Sequence, residues 1–237
     1  MSGVSFLFKI NCMSKFLSIL LLLFFIQVRA QDESFVIDSP FNNLFTFTTK
    51  SSSYANEVQG SPYLQEEFKR GGVYKNNELL VKVKMRFNAH RGEMEFIGVN
   101  DSIYILGKAK ELWAELDSRN YKILLFKNKI GQIRNAYFNK LNEGNLKLLF
   151  KPQIDFRKGK ESYDSYRPKV RPAFIKNSSY YAKIGDNPAN KINLNRKNVL
   201  KLLSKEKEEM LLFVKKNKLD LRTETDVIRL FTYYNSL

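Results

Sequence analysis

"LLVKVKMRFNAHRGEMEF", residues 79–96, decides the fold class. Val81, Val83, Met85 and Phe87 alternate with Lys82, Lys84 and Arg86. Successive side chains of a strand point to opposite faces, so this pattern is a strand with one buried and one wet face. If Ala89 to Gly92 form a loop, Asn88 faces Glu93, Phe87 faces Met94, Arg86 faces Glu95 and Met85 faces Phe96. Apolar then meets apolar and plus meets minus, and an opposed pair of unlike charges contributes about 0.2–1 kcal/mol. A slip of one residue would break both matches. The same register gives Arg86 and Glu95 a structural role and weakens the case for catalysis by either.

The pattern continues on both sides. "SIYIL" follows "GVND", and "YKILLF", "RNAYF" and "LKLLF" are separated by the polar turns "KNKIGQ" and "NKLNEGN". Short strands joined by short turns predict an antiparallel meander, because parallel units need room for crossover helices. "AKELWAEL", 109–116, fits either a short helix or a strand. "LFTFTT" can be one strand and "SYYAKI" a last one. From about residue 196 the chain carries strong helix formers, with Met210, Phe213 and Val214 on one face. Thr223 and Asp226 have capping-box spacing, and Val227, Leu230, Phe231 and Tyr234 follow the i, i+3, i+4, i+7 rule. The expected fold is α+β: an antiparallel meander, as a roll or partly closed barrel, covered by C-terminal amphipathic helices. The expected divisions are a signal peptide at 1–30, a polar, partly disordered leader at 31–62, a β domain at 63–195 with a basic loop at 157–179, and helices at 196–237.

The leader has the three parts of a secretory signal. Lys15 supplies the positive charge, Phe16 to Ile26 the apolar region, and Val28 and Ala30 the small residues before a cleavage site. Met13 is the more natural start, and Gln31 the expected first mature residue. A retained anchor is the competing reading, but a spanning helix needs roughly 20 apolar residues. The single cysteine, Cys12, precedes the apolar run, so the mature chain can form neither disulfides nor cysteine-ligated zinc sites. The expected location is periplasmic or secreted, with no transmembrane segment after cleavage.

The formal net charge is +16, or +13 without the leader's Lys9, Lys15 and Arg29. That balance attracts anionic partners. It also follows from an AT-biased genome, since Lys and Asn share A-rich codons. The densest basic stretch, Lys151 to Arg171, holds seven basic and three acidic residues and matches no nucleic-acid-binding motif.

Catalytic signals are thin. Glu66 and Glu67 in "GSPYLQEEFKRGGVY" cannot converge on one bond, because adjacent side chains diverge on a strand or a helix. Glycosidase chemistry needs two carboxyls facing each other at roughly 5–10 Å. Gly71-Gly72 marks a bulge or tight bend rather than a phosphate loop. His90 is the only histidine and falls in a predicted turn, read as a surface position. No nucleophile elbow accompanies it. No catalytic residue, metal ligand or cofactor site is assigned.

"GSPYLQEEFKRGGVY", "VKMRFNAHRGEMEF" and the ending "LFVKKNKLDLRTETDVIRLFTYYNSL" together resemble a group of exported Bacteroidota proteins of uncharacterised activity. The resemblance spans most of the mature chain and implies an envelope or secreted location. It supplies no activity, ligand or catalytic residue.

The leading expectation is a non-enzymatic protein that binds another envelope protein or an anionic envelope component. Tyr163, Tyr166, Arg167, Lys169 and Arg171 are its candidate contacts, since aromatic and Arg residues are favoured at interfaces. The alternatives are an exported hydrolase of glycan or lipid that pairs Glu66 or Glu67 with Asp101, and a basic protein that binds anionic polymers nonspecifically. Mass spectrometry of the native product is expected to find a new amino end at or near Gln31; an intact leader in cytosolic material would contradict export.

Overall fold

β3 (Glu78–Asn88) and β4 (Glu93–Ile97) pair in the expected register: Asn88 faces Glu93, Phe87 faces Met94, Arg86 faces Glu95 and Met85 faces Phe96. The structure, a computed structural model, describes residues 45–48, 58–98, 101–160, 169–203 and 206–237. β1 (Phe45–Thr48), β2 (Lys69–Lys75) and β5 (Ile103–Leu106) join this hairpin. They are followed by β6 (Leu112–Leu116), β7 (Arg119–Lys127), β8 (Ile133–Lys140) and β9 (Leu146–Lys151). β10 (Ile154–Arg157) pairs with β11 (Ala173–Lys176) as a separate ribbon, and β12 (Ser179–Ile184) and β13 (Asn190–Ile192) complete the set. Three short helices close the chain: α1 (Arg196–Leu202), α2 (Lys207–Lys216) and α3 (Glu224–Tyr234). The fold is α+β and sheet-dominated, as expected.

The main sheet runs β1-β5-β4-β3-β2-β6-β7-β8-β9-β12-β13, every pair antiparallel, with β1 and β13 at its open edges. The meander is interrupted at three places: β1 lies beside β5, the chain returns after β5 to place β6 beside β2 in a Greek-key move, and the separate β10–β11 ribbon comes between β9 and β12. "AKELWAEL" resolves as strand β6, with Leu112, Ala114 and Leu116 buried. The twin glycines lie inside β2, and a bulge follows between Val73 and Tyr74. A Cβ on Gly71 would sit 2.5 Å from the Glu115 carbonyl and 2.9 Å from Met85 Sδ, so only glycine lets β3 and β6 close on β2 there.

The sheet curls twice, in opposite senses. Phe87 on β3 touches Tyr121 on β7, with ring centroids 4.9 Å apart, and Tyr137 on β8, at 5.7 Å. In a flat sheet β3 and β7 would lie about 14 Å apart, at three strand spacings. The face carrying Val81, Val83, Met85, Phe87, Met94, Phe96, Ala114 and Tyr121 is therefore concave and closes on itself as one core. Further along, Ala189, just before β13, bonds through its backbone to Leu125 and Lys127 at the end of β7. That contact closes β7, β8, β9, β12 and β13 around the opposite face and buries Phe126, Phe138, Leu149 and Tyr181, whose aromatic rings meet edge to face.

The helices cover the first face of β9, β12 and β13. Val199, Leu203, Met210, Val214, Val227, Leu230 and Phe231 pack on Leu146, Leu148, Ala182 and Ile192. Burial of each such side chain is worth about 1.5–3 kcal/mol. Thr223 caps α3 by accepting the Asp226 N–H. The capping box is not reciprocal: the Asp226 carboxylate accepts the Asp220 N–H, while the Thr223 N–H goes to the Asp220 carbonyl. Asn235, beyond α3, accepts the Leu146 N–H and donates to the carbonyls of Glu143 and Leu146, tying the last turn to β9. Gly144, at φ 104°, accommodates that side chain, which would overlap any Cβ there.

Two readings need correction. The basic loop is shorter than 157–179, because β11, the Lys160–Val170 bridge and the first residue of β12 occupy part of it. "SYYAKI" is not the last strand, since β13 follows. The polar leader and the signal lie outside the described residues apart from β1 and residues 58–62.

Arg86 and Glu95 form a buried pair on the outer face, with side chains 15% and 5% exposed. Arg86 Nε donates to Glu95 Oε2 at 3.0 Å, and Asn88 Nδ2 donates to Oε1 at 2.8 Å. The guanidinium lies between the rings of Tyr63 and Phe68, 3.6 Å and 4.2 Å from their centroids. Glu95→Ala strands a buried cation and is expected to lower unfolding free energy by about 3–5 kcal/mol in urea titration. Glu66→Ala, at an exposed position, should change it by no more than about 0.5 kcal/mol.

Candidate functional site: a carboxylate-free basic cleft

A cavity of about 930 Å³ lies beside the edge strand β13 and under α1. Each of its walls has a local cause. Lys127 ends β7 and is brought beside the β12–β13 turn by the Ala189 backbone bonds. Asn187 and Pro188 make the β12–β13 turn, and Gly185 begins it with φ 52°. Asn195 caps α1 by accepting the Asn198 N–H at 2.9 Å, which aims Asn198 and Lys201 at the strand edge. Ala182, Ile184, Ile192 and Leu202 supply the apolar floor.

The polar lining consists of Lys127, Lys191 and Lys201 with the amides of Asn187, Asn190, Asn193 and Asn198. Among the described residues its lining holds no carboxylate, imidazole, hydroxyl or thiol. Asn190 Nδ2 donates to the Pro188 carbonyl at 3.2 Å, and Asn198 Nδ2 to the Asn193 carbonyl at 3.4 Å, so these amides are held in place. Lys151 lies on the neighbouring strand, over the ring of Phe126, and donates to Gln153 Oε1 at 2.7 Å. Burial holds its ammonium below the usual lysine range; Asp155 opposes that and Lys191 adds to it. The chemistry on offer is attraction of an anion by point charges, with amide hydrogen bonds to neighbouring polar groups.

None of the sequence-based candidates among the described residues lines this cleft. Tyr163, Tyr166 and Arg167 lie outside the described residues. Lys169 and Arg171 are exposed, beside the Lys160–Val170 bridge that leads into the β10–β11 ribbon. Glu66, Glu67 and Asp101 are exposed and line neither described cavity. His90 is in its predicted turn but is half-buried rather than exposed. Its Nδ1 sits 3.1 Å from the Ile154 carbonyl, and its ring meets Phe156 and Phe174 edge-on. It anchors the β10–β11 ribbon across one end of the roll. Among the described residues no three acids or histidines converge as a metal site. No helix among them is long and apolar enough to cross a membrane.

Sequence reasoning missed the cleft because its polar residues are Lys and Asn, the types discounted as compositional bias. The usable signal was "GDNPANKINLN", 185–195, where asparagines flank one lysine within a single turn and strand. A second hollow, about 710 Å³, lies on the helices and is lined by Leu211, Leu212, Val214 and Leu219 with Arg196, Glu208, Lys215 and Lys218. No protein-family model, curated protein or solved structure matches the chain.

Proposed function

We propose that the chain is an exported, non-enzymatic binding protein whose basic cleft takes an acidic sugar or a similar hydroxylated anion of the cell envelope. The observation that carries this reading is the cleft's polar lining, which among the described residues has three ammonium groups and four amides and no carboxylate. An anion entering there meets no like charge from the walls, and the amides match hydroxyls as donors and acceptors. Specificity arises from the fixed amides, and attraction from the lysines.

Export rests on the leader and on the resemblance to exported Bacteroidota proteins. A non-enzymatic role is supported by the lining itself: lysine alone would have to move every proton, and nothing is placed to orient it. The predicted interface around Tyr163, Tyr166, Arg167, Lys169 and Arg171 belongs to the same proposal as a separate contact with an envelope protein.

Titration with oligogalacturonate, followed calorimetrically, tests the cleft. Binding is expected to weaken as salt rises and to fall at least about tenfold in the Lys191→Glu/Lys201→Glu variant, because two attractions become repulsions. Equal affinity of the variant, or no binding by the wild-type protein, would contradict the assignment.

A further inference from the structure

Four lysines form a row on the sheet face opposite the cleft. Lys122 stands on β7, Lys140 on β8, Lys147 on β9 and Lys183 on β12. The register fixes their order. Lys122 faces Phe138, which places it diagonal to Lys140. Lys140 faces Leu149, which places it diagonal to Lys147. Lys147 faces Lys183 directly. Diagonal neighbours lie about 7–8 Å apart and direct ones about 5 Å. The row crosses three strand spacings, about 14 Å. Ala182 and Ile184 line the cleft, so Lys183 between them points the other way.

This arrangement costs stability. Like charges directly opposite on neighbouring strands are destabilising. All four side chains are half-buried, which raises the cost of their charge. Burial holds the Lys122 ammonium below its usual range, with Lys140 adding to the effect and Glu143 opposing it. Burial lowers Lys183 likewise; Asp186 opposes this, while Lys147 and Lys110 reinforce it. The compensation is incomplete. Lys140 pairs with Glu143, Lys183 donates to the Gly185 carbonyl, and Lys122 lies over the ring of Trp113 at 4.8 Å. The Lys147 ammonium has no hydrogen bond or ion pair among the described residues. Four ammonium groups thus face two nearby carboxylates, at strand positions that uncharged residues would fill without penalty.

We propose that this row binds a linear polyanion bearing phosphate or sulfate groups, laid across β7, β8, β9 and β12. A row presents charge along a line rather than around a point, which favours a ligand whose charges repeat over the same length. Lysine offers compact point charges without the planar fork of arginine, so the row reads charge density more than oxyanion orientation. A bound polyanion removes the repulsion between Lys147 and Lys183 that the free protein carries. The site is independent of the cleft and of any ligand bound there.

The full mature chain is titrated with linear polyphosphate and with dextran sulfate, with orthophosphate as the single-group control. At least one polymer is expected to bind more than about tenfold more tightly than orthophosphate, with steep weakening as salt rises. Whichever polymer binds identifies the charged group as phosphate or sulfate. Lys147→Gln/Lys183→Gln should weaken polymer binding at least about tenfold, while Lys191→Glu/Lys201→Glu should leave a clear preference for the polymer over orthophosphate. The ligand-free Lys147→Gln/Lys183→Gln variant should also melt at the wild-type temperature or above it, because it loses a repulsion. Binding of neither polymer, wild-type affinity in that variant, or a lowered melting temperature would overturn the proposal.

Discussion

The packing of Phe87 against Tyr121 and Tyr137 is the constraint on which the rest of the sheet depends. Phe87 comes from a strand that a flat sheet would hold far from β7 and β8. The contact of these rings forces the sheet to bend, and the bend gives Val81, Val83, Met85, Met94 and Phe96 a dry interior, to which the β10–β11 ribbon adds Ile154 and Phe174. Burial carries a polar consequence. The Tyr137 hydroxyl finds no hydrogen-bond partner among the described residues, and desolvation, with a smaller push from Glu93, drives its pKa far up. A neutral phenol is thereby held in the core at the cost of one unmade hydrogen bond.

β7 carries both bends. Tyr121 and Ile123 face the first core, while Phe126, on the alternate side, enters the second. The second closure through Ala189 shapes the functional surfaces. It brings Lys127 to the cleft, fixes the β12–β13 turn, and leaves the lysine row on the half-buried face at the other end of the same strands. The fold handles charge in two contrasting ways. Arg86 and Glu95 are paired, buried and braced by Asn88, Tyr63 and Phe68, a use of charge that holds structure. Lys147 and Lys183 are opposed without such bracing, which structure alone does not reward.

Legibility in the sequence followed the range of the interactions. The β3–β4 register could be written down because alternation and charge matching act between neighbouring residues in one hairpin. The C-terminal helices were legible from their periodicity, and Val227, Leu230 and Phe231 are buried as the spacing requires. β13 was missed because Asn190, Lys191 and Ile192 carry no strand pattern; the strand exists because β12 and the helices cover it. The β10–β11 ribbon was hidden in a basic, proline-containing stretch, where pairing depends on Ile154, His90 and Phe174 meeting at the end of the roll. Cleft and lysine row could not be read, since their residues come from separated strands and only the register gathers them. Lysine-rich composition was the visible trace, and it does not distinguish a scattered surface from an aligned one.

Aromatic nuclear Overhauser contacts test the curled sheet most directly. Cross-peaks from the Phe87 ring to both Tyr121 and Tyr137 are expected, alongside the ordinary β7–β8 contacts. Intact β7–β8 contacts with no signal between Phe87 and either tyrosine would mean a sheet that does not close on itself, and would contradict the arrangement of core and surface described above.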